Sequence, residues 1–174
     1  MNQVELDQRA KQTAELLAKR EWRLVCGELY GRFDLGHPDP HRRDLNWLCG
    51  SAIVYRLETK AEWLGVSREK LNSAGPVSSI IAEQMATGAL LKTHEADVAI
   101  SITGDLGPQA PAETDGVAWV GIATRTSDGT GYQVNSEKLE LAKELVSGET
   151  NLRQQRQSEA VYRSLGILID YLNA

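Results

Sequence analysis

The sequence lacks a long apolar run and any strong excess of positive charge, and each absence excludes a class of protein. No apolar run approaches the roughly 20 residues that cross a bilayer, so we expect no membrane-spanning segment. Lysine and arginine number 19 against 24 aspartates and glutamates, and the net charge is -5. This balance gives no broad attraction to nucleic acid or to anionic lipid. We therefore expect neither nucleic acid nor a membrane as a partner.

Cysteine is also scarce, with only Cys26 and Cys49 in the chain. The first residues, Met1 to Glu5, show neither the basic region nor the apolar region of a secretory signal, so we expect a cytoplasmic protein. Two cysteines in a chain without an export signal are more often free thiols than a disulfide. We assign no disulfide.

The length and composition are those of a soluble globular protein. The chain has 174 residues, of which 41% are hydrophobic and 25% charged. A chain of this length buries roughly 70% of its unfolded-state surface in one core and is short for two. We expect a single domain over residues 1–174.

Helical and strand patterns alternate along the sequence. Apolar residues at three- and four-residue steps predict helices, and short apolar or β-branched runs predict strands. The predicted helices run to about Arg20, from Glu58 to Leu64 with Gly65 as a left-handed cap, from Ser78 onward, and through Val161, Leu165, Leu168 and Leu172. The predicted strands are Trp22–Cys26, Ser51–Tyr55, Val98–Ile102 and Gly116–Thr124. This alternation predicts an α/β/α layer arrangement.

Two details of this pattern are specific enough to test. We expect the Ser78 hydroxyl to cap the helix that follows, whose buried face would consist of Ile81, Met85, Gly88 and Leu91. Residues Glu137–Val146 fit either a strand or a helix, and propensity alone does not decide between them.

Three groups of residues could carry chemistry. His37 and His41, with Asp44 nearby, offer metal ligands, but their spacing matches no zinc signature, so we favour a solvated loop and expect no metal and no cofactor.

Tyr55 and Lys60 follow a strand, where side chains of α/β proteins converge on ligands. The loop Thr103–Pro108 follows another strand, and its glycines would let backbone amides approach an anion. By themselves these groups are also consistent with packing and ordinary turns.

The order and spacing of five segments resemble one family, that of the CinA C-terminal domain, or nicotinamide-nucleotide amidohydrolases. Gly50–Tyr55 through Lys60–Val66 is similar to the family's G-x-x-x-Y-S-N-x-x-K…L-G-V segment, and Gly75–Ser78 to its G-A-V-S helix start. Ala99–Pro108 resembles its A-x-x-x-T-G-I-A-G-P loop. Gly116 stands where the family has P-V-G-T, and Arg153 where it has G-x-R before the last helix. The resemblance covers nearly the whole chain.

The resemblance implies a fold and an activity. The implied fold is a three-layer α/β/α sandwich on a mixed, mostly parallel sheet, in which Leu139–Leu145 would be a strand. The implied activity is hydrolysis of the carboxamide of nicotinamide mononucleotide to nicotinate mononucleotide and ammonia, by a serine nucleophile with a lysine base and a tyrosine. Tyr55 and Lys60 match those two helpers. Thr103, Gly104 and Gly107 would bind substrate, and Arg153 could hold its phosphate.

The sequence departs from the family at the nucleophile. Where the family has A-E-S-C-T-G-G, this chain reads Cys26–Gly31 without a serine, and Glu28 or a neighbour takes the nucleophile position. We expect Glu28 to form an ion pair with Lys60, which would keep the lysine protonated and unable to act as a base. Because such changes gather in the implied site, they indicate altered activity more than an altered fold.

Three functions follow from this pattern. The first is a binding or regulatory domain that takes a small-molecule mononucleotide and lacks serine catalysis. The second is an active amidohydrolase with Cys26 as the nucleophile. The third is a non-catalytic subunit that assembles with itself as a homo-oligomer or with a true enzyme. We favour the first, and the sequence does not indicate which partner such a subunit would bind.

Overall fold

The computed structural model describes residues 3–28, 46–146 and 151–174, and helices and strands alternate along them. In chain order the elements are α1 (Gln3–Arg20), β1 (Leu24–Gly27), β2 (Leu48–Ala52), α2 (Leu57–Leu64), α3 (Arg68–Ser73), α4 (Ser79–Lys92), β3 (Val98–Asp105), β4 (Val117–Arg125), β5 (Tyr132–Glu140) and α5 (Leu152–Asn173). Of the helices in these ranges, none is both long enough and apolar enough to span a membrane.

The strands form one mixed sheet in the order β2-β1-β3-β4-β5. β1 runs parallel to β2 and to β3, whereas β4 runs antiparallel to both of its neighbours. Four of the five strands therefore point the same way, and the mixed, mostly parallel sheet that the resemblance implied is confirmed. The carboxyl ends of β1, β2 and β3 consequently lie at one edge of the sheet.

Helices cover both faces of the sheet, because successive strand residues point to opposite sides. On one face, Leu24 and Cys26 of β1 share a core with Leu17 of α1 and Leu168 of α5. On the other, Val25 packs with residues of α2, α3 and α4. The three-layer α/β/α sandwich is thus confirmed. α3 is a helix that the sequence analysis did not predict.

α4 lies unusually close to the sheet because small residues face it. A Cβ on Gly121 of β4 would stand 2.3 Å from the Ala82 carbonyl oxygen, which leaves no space for any other residue. The Ser101 hydroxyl donates to the same oxygen at 2.7 Å. This contact fixes α4, and with it the turn before α4, relative to β3.

The helices are where the sequence placed them, with two corrections around α4. Leu91 is 48% exposed and Leu90 is buried in its place, because the buried stripe follows the side of α4 that faces both the sheet and α2. Ser78 is the residue before α4, but its side chain makes no capping bond and donates instead to the Gly75 carbonyl at 3.0 Å. The hydroxyl therefore closes the α3–α4 turn.

β2 and β5 depart furthest from the sequence prediction. β2 ends at Ala52, whereas the prediction ran from Ser51 to Tyr55, because the Val54 amide donates to the Glu28 carboxylate at 2.8 Å instead of to a strand. The strand implied for Leu139–Leu145 is wrong beyond Glu140. There the chain leaves the sheet for α5, and the amides of Ala142 and Val146 donate to side chains of that helix.

Candidate functional site

A cavity of about 360 Å³ opens at the carboxyl ends of β1 and β3, next to the segment that follows β2. This volume lies within the range of small-molecule sites. All seven residues that the sequence singled out line it: Glu28, Tyr55, Lys60, Thr103, Gly104, Gly107 and Arg153. The fold therefore gathers these residues around one space, as residues from separate strand ends are expected to gather in an α/β sheet.

Lys60 is the buried cation of this cavity. Lys60 belongs to α2, a helix that ends at Gly65 in the left-handed conformation. Its residue surface is only 5% exposed. Its Nζ donates to the Met85 sulfur at 3.4 Å, a weak acceptor. Burial lowers the pKa of Lys60 to about 8, and the Glu28 carboxylate opposes this by raising the pKa to a smaller extent.

Glu28 follows β1 directly and is also buried. Its φ of 55° lies in the left-handed region, which few residues with a side chain adopt. Backbone bonds to Ala52 and Ile102 hold it there, and one carboxylate oxygen accepts from the Val54 amide. Glu28 is thus a buried acid with an unfavourable backbone conformation among the residues that line the cavity.

The ion pair expected between Lys60 and Glu28 is not formed. Among the residues that the structure describes, no ion pair within salt-bridge distance includes Lys60. The carboxylate acts on the amine only through space, and burial outweighs it. The expected ion pair is therefore wrong, and Lys60 loses its proton more readily than a surface lysine because burial lowers its pKa to about 8.

Tyr55 lies at the mouth of the cavity. It is 78% exposed, and its hydroxyl has no hydrogen bond to the residues in the described ranges. Such a side chain has a free donor and acceptor for a ligand.

The loop after β3 forms one wall. Thr103 and Gly104 still belong to β3, paired with Trp119 and Ala118, so the predicted loop begins only after Asp105. The Thr103 hydroxyl donates to the Pro76 carbonyl at 2.8 Å and ties this wall to the α3–α4 turn. Gly107 has a φ of 64° and precedes a cis peptide bond to Pro108.

Arg153 closes the cavity from the side of α5. The sequence placed it before the last helix, but it lies in the first turn of α5, whose cap is the Asn151 side chain. Its Nη1 donates to the Gly107 carbonyl at 2.7 Å. Nε and Nη2 make no hydrogen bond to another described residue, so they remain donors for an anion.

Arg156 is the residue that sequence reasoning missed. It is 2% exposed, its Nε donates to the Ala142 carbonyl at 2.7 Å, and its two terminal nitrogens bind the Asp115 carboxylate. A Cβ on Gly107 would stand 3.0 Å from its Nη1 and one on Gly116 would stand 3.1 Å from its Nη2. Gly107 and Gly116 are the sequence feature that could have indicated a large side chain packed against this loop. Arg156 anchors the loop between β3 and β4.

The Cys26 alternative does not fit this site. Cys26 is fully buried in the core beneath α1 and α5, whereas Lys60 belongs to α2 on the opposite face of the sheet. Burial raises the pKa of its thiol far above the usual range, with a smaller contribution from Cys49, so the thiolate is disfavoured. Both cysteines are free.

Some sequence expectations lie outside the described residues. They are His37, His41, Asp44 and the part of the nucleophile segment after Glu28. Within the described ranges no group of three or more metal-ligating side chains occurs.

Solved structures share this fold along nearly the whole chain. A CinA superfamily protein from Klebsiella pneumoniae superposes with a TM-score of 0.79 and 22% identity, covering 97% of this chain and 98% of that one. A competence/damage inducible protein from Agrobacterium tumefaciens gives a TM-score of 0.77 at 22% identity, covering 98% and 96%. At such low identity these similarities establish the fold alone.

Sequence comparison establishes the family. A protein of Caldicellulosiruptor saccharolyticus named as competence-damage inducible is 43% identical over 92 residues, which are 51% of this chain and 22% of that protein. The matched segment thus spans about a fifth of this relative. A family model, the CinA C-terminal domain, matches residues 44–161 and so begins after the segment that lacks the serine. This chain belongs to the CinA C-terminal domain family.

Proposed function

We propose that this chain binds a phosphate-bearing mononucleotide of the nicotinamide type in the cavity and lacks the serine-dependent amide hydrolysis of its family. The observation that carries the proposal is the composition of the cavity. The cavity keeps the lysine, the tyrosine, the glycine-containing loop and the arginine of the implied site, but a buried glutamate follows β1 where the family has its nucleophile region.

Phosphate binding is supported by the donors on one side of the cavity. Arg153 Nε and Nη2 donate to no other residue of the described ranges, and Arg153 lies in the first turn of α5, where the helix dipole favours an anion. The bond from Arg153 to Gly107 fixes the guanidinium before a ligand arrives, which lowers the entropic cost of binding.

Loss of catalysis is supported by the residues at the opposite side. Amide hydrolysis through a covalent intermediate needs a nucleophile beside its base. The described part of the chain after β1 is Glu28, whose carboxylate accepts the Val54 amide, and Cys26 belongs to the core on the other face of the sheet. We therefore expect no ammonia release from nicotinamide mononucleotide above a protein-free blank. Sustained release would contradict this half of the proposal.

Thermal melting tests the binding half. Nicotinamide mononucleotide, nicotinate mononucleotide or AMP should raise the melting temperature, since a ligand at a hundredfold excess over its dissociation constant adds about 2.7 kcal/mol to the free energy of unfolding. Arg153→Gln should remove most of this gain. Arg68→Gln, on exposed α3, is the matched control and should retain it. If none of the three nucleotides stabilises the wild type at millimolar concentration, the binding proposal fails and a role in assembly replaces it.

A further inference from the structure

The amine of Lys60 combines three properties that seldom occur together. It is buried, it lines a cavity of ligand size, and the part of the chain that the structure describes supplies it with no carboxylate in contact. Within the described ranges, its hydrogen bond is to the thioether of Met85. A lysine that served only to stabilise the fold would be expected to pair with an acid or to reach solvent.

Burial gives this amine a much larger neutral fraction than an exposed lysine has. Burial lowers the pKa of Lys60 to about 8, so near pH 7.5 its neutral fraction is on the order of a hundred times that of an exposed lysine. A neutral amine has a free electron pair and is a nucleophile. Desolvated lysines of this kind form imines with carbonyl compounds in other proteins.

We propose that Lys60 is a covalent attachment point for a phosphate-bearing aldehyde or ketone, with the phosphate bound by Arg153 and the loop that begins at Gly107. The lysine nitrogen attacks the carbonyl carbon with its electron pair, the C=O π bond breaks as its electrons move to the oxygen, and one proton passes from the nitrogen to that oxygen. The hydroxyl formed in this way later departs with the second N–H proton as water. The resulting carbinolamine loses water to give an imine, so no oxidant or reductant is consumed. This inference rests on the proposed function, since it uses the same phosphate-binding residues.

Glu28 has a place in this chemistry. It lines the same cavity, and one of its carboxylate oxygens accepts the Val54 amide, while the other has no hydrogen bond to the described residues and would serve in proton transfer. Its charge also acts on Lys60 through space and would favour a protonated imine over a neutral one. Glu28, which stands at the position of the family's nucleophile, can therefore assist imine formation although it does not replace the serine in amide hydrolysis.

Reductive trapping tests the proposal. The intact protein is mixed with pyridoxal 5′-phosphate as the probe, treated with borohydride, digested and analysed by mass spectrometry. We expect one adduct, on Lys60, formed at least about tenfold faster than on any exposed lysine because of its larger neutral fraction. Inorganic phosphate should slow the labelling. Pyridoxal without phosphate, or the Arg153→Gln variant, should label Lys60 more slowly.

Variants separate this proposal from a folding defect. Lys60→Met and Lys60→Arg both remove the reactive amine, and at least one should melt cooperatively and show no adduct, whereas exposed Lys143→Met should label like the wild type. Labelling spread over surface lysines with Lys60 unmodified would overturn the proposal. If nucleotides still raise the melting temperature in that case, the proposed function stands, and if they do not, both fail. Equal labelling by pyridoxal and its phosphate would overturn the phosphate requirement.

Discussion

The guanidinium of Arg156 holds the Asp115 carboxylate through two hydrogen bonds, of 2.7 and 3.0 Å, behind the loop that lines the cavity. Gly107 and Gly116 pass so close to this arginine that neither tolerates a side chain without displacement. Asp105 and Thr114 add a further short bond across the base of the loop. The shape of the candidate site thus depends on a pair of residues, Arg156 and Asp115, neither of which is among its lining residues.

Asp115→Asn should destabilise the protein in a pH-dependent way. The hydrogen bonds from Arg156 hold the pKa of Asp115 below 3.8, so the folded state favours the charged carboxylate. This stabilisation is present above pH 3.8 and is lost as the pH falls through the lower folded-state pKa. Urea unfolding at pH 7, 5 and 3 should show a constant difference from the wild type at the first two values and a smaller one at pH 3. Exposed Asp170→Asn should show no such pattern.

Lys60→Met should stabilise the protein at neutral pH. The folded-state pKa of about 8 lies below the 10.5 of an exposed lysine, so the folded protein disfavours the ammonium. This cost is present in full below pH 8 and disappears as the pH rises toward 10.5. At pH 7 the gain should approach about 3 kcal/mol and should shrink by pH 9.5. Lys143→Met is the control, and a gain of equal size there would contradict the burial argument.

Gly121→Ala should be severely destabilising. The new methyl group would meet the backbone of Ala82, so α4 must move away from β4 and break its bond with Ser101. Overpacking of this kind costs about 3 kcal/mol. Gly131→Ala, where the added Cβ would meet only a side chain at 3.7 Å, should be near neutral in the same denaturant titration.

Glu28→Gln should shift the pH dependence of Lys60 labelling to lower pH. The Glu28 charge raises the pKa of Lys60, so its removal should lower that pKa further. The rate of reductive labelling at Lys60, followed between pH 6 and 9, should reach its half-maximum at a lower pH than in the wild type. A shift to higher pH would show that the carboxylate does not act on this amine.

The sequence predicted the scaffold well because its signals are local. The apolar stripe of Val161, Leu165, Leu168 and Leu172 predicts α5, and all four are buried. Gly65 predicts the end of α2 through its left-handed conformation. α3 was missed because six residues with one buried leucine, Leu71, give too little periodicity to recognise.

The details of the site could not be predicted because they depend on contacts between distant segments. Arg156 stands among polar residues of α5 and resembles a surface arginine, but distant segments pack around it, the loop between β3 and β4 on one side and Ala142 after β5 on another. For Lys60, proximity to Glu28 predicted a strongly protonated amine. Burial lowers the pKa of Lys60 more than the Glu28 charge raises it, and the sequence alone does not show how deeply the side chain is buried.

Calorimetric titration of nicotinamide mononucleotide into the purified protein at pH 7.5 tests binding and catalysis together. Our proposal predicts saturable heats with one ligand per chain, a return to the baseline after every injection, and loss of these heats in Arg153→Gln but not in Arg68→Gln. A heat flow that persists after each injection would reveal turnover and contradict the loss of catalysis. The absence of saturable heat at millimolar ligand would contradict the retained nucleotide site.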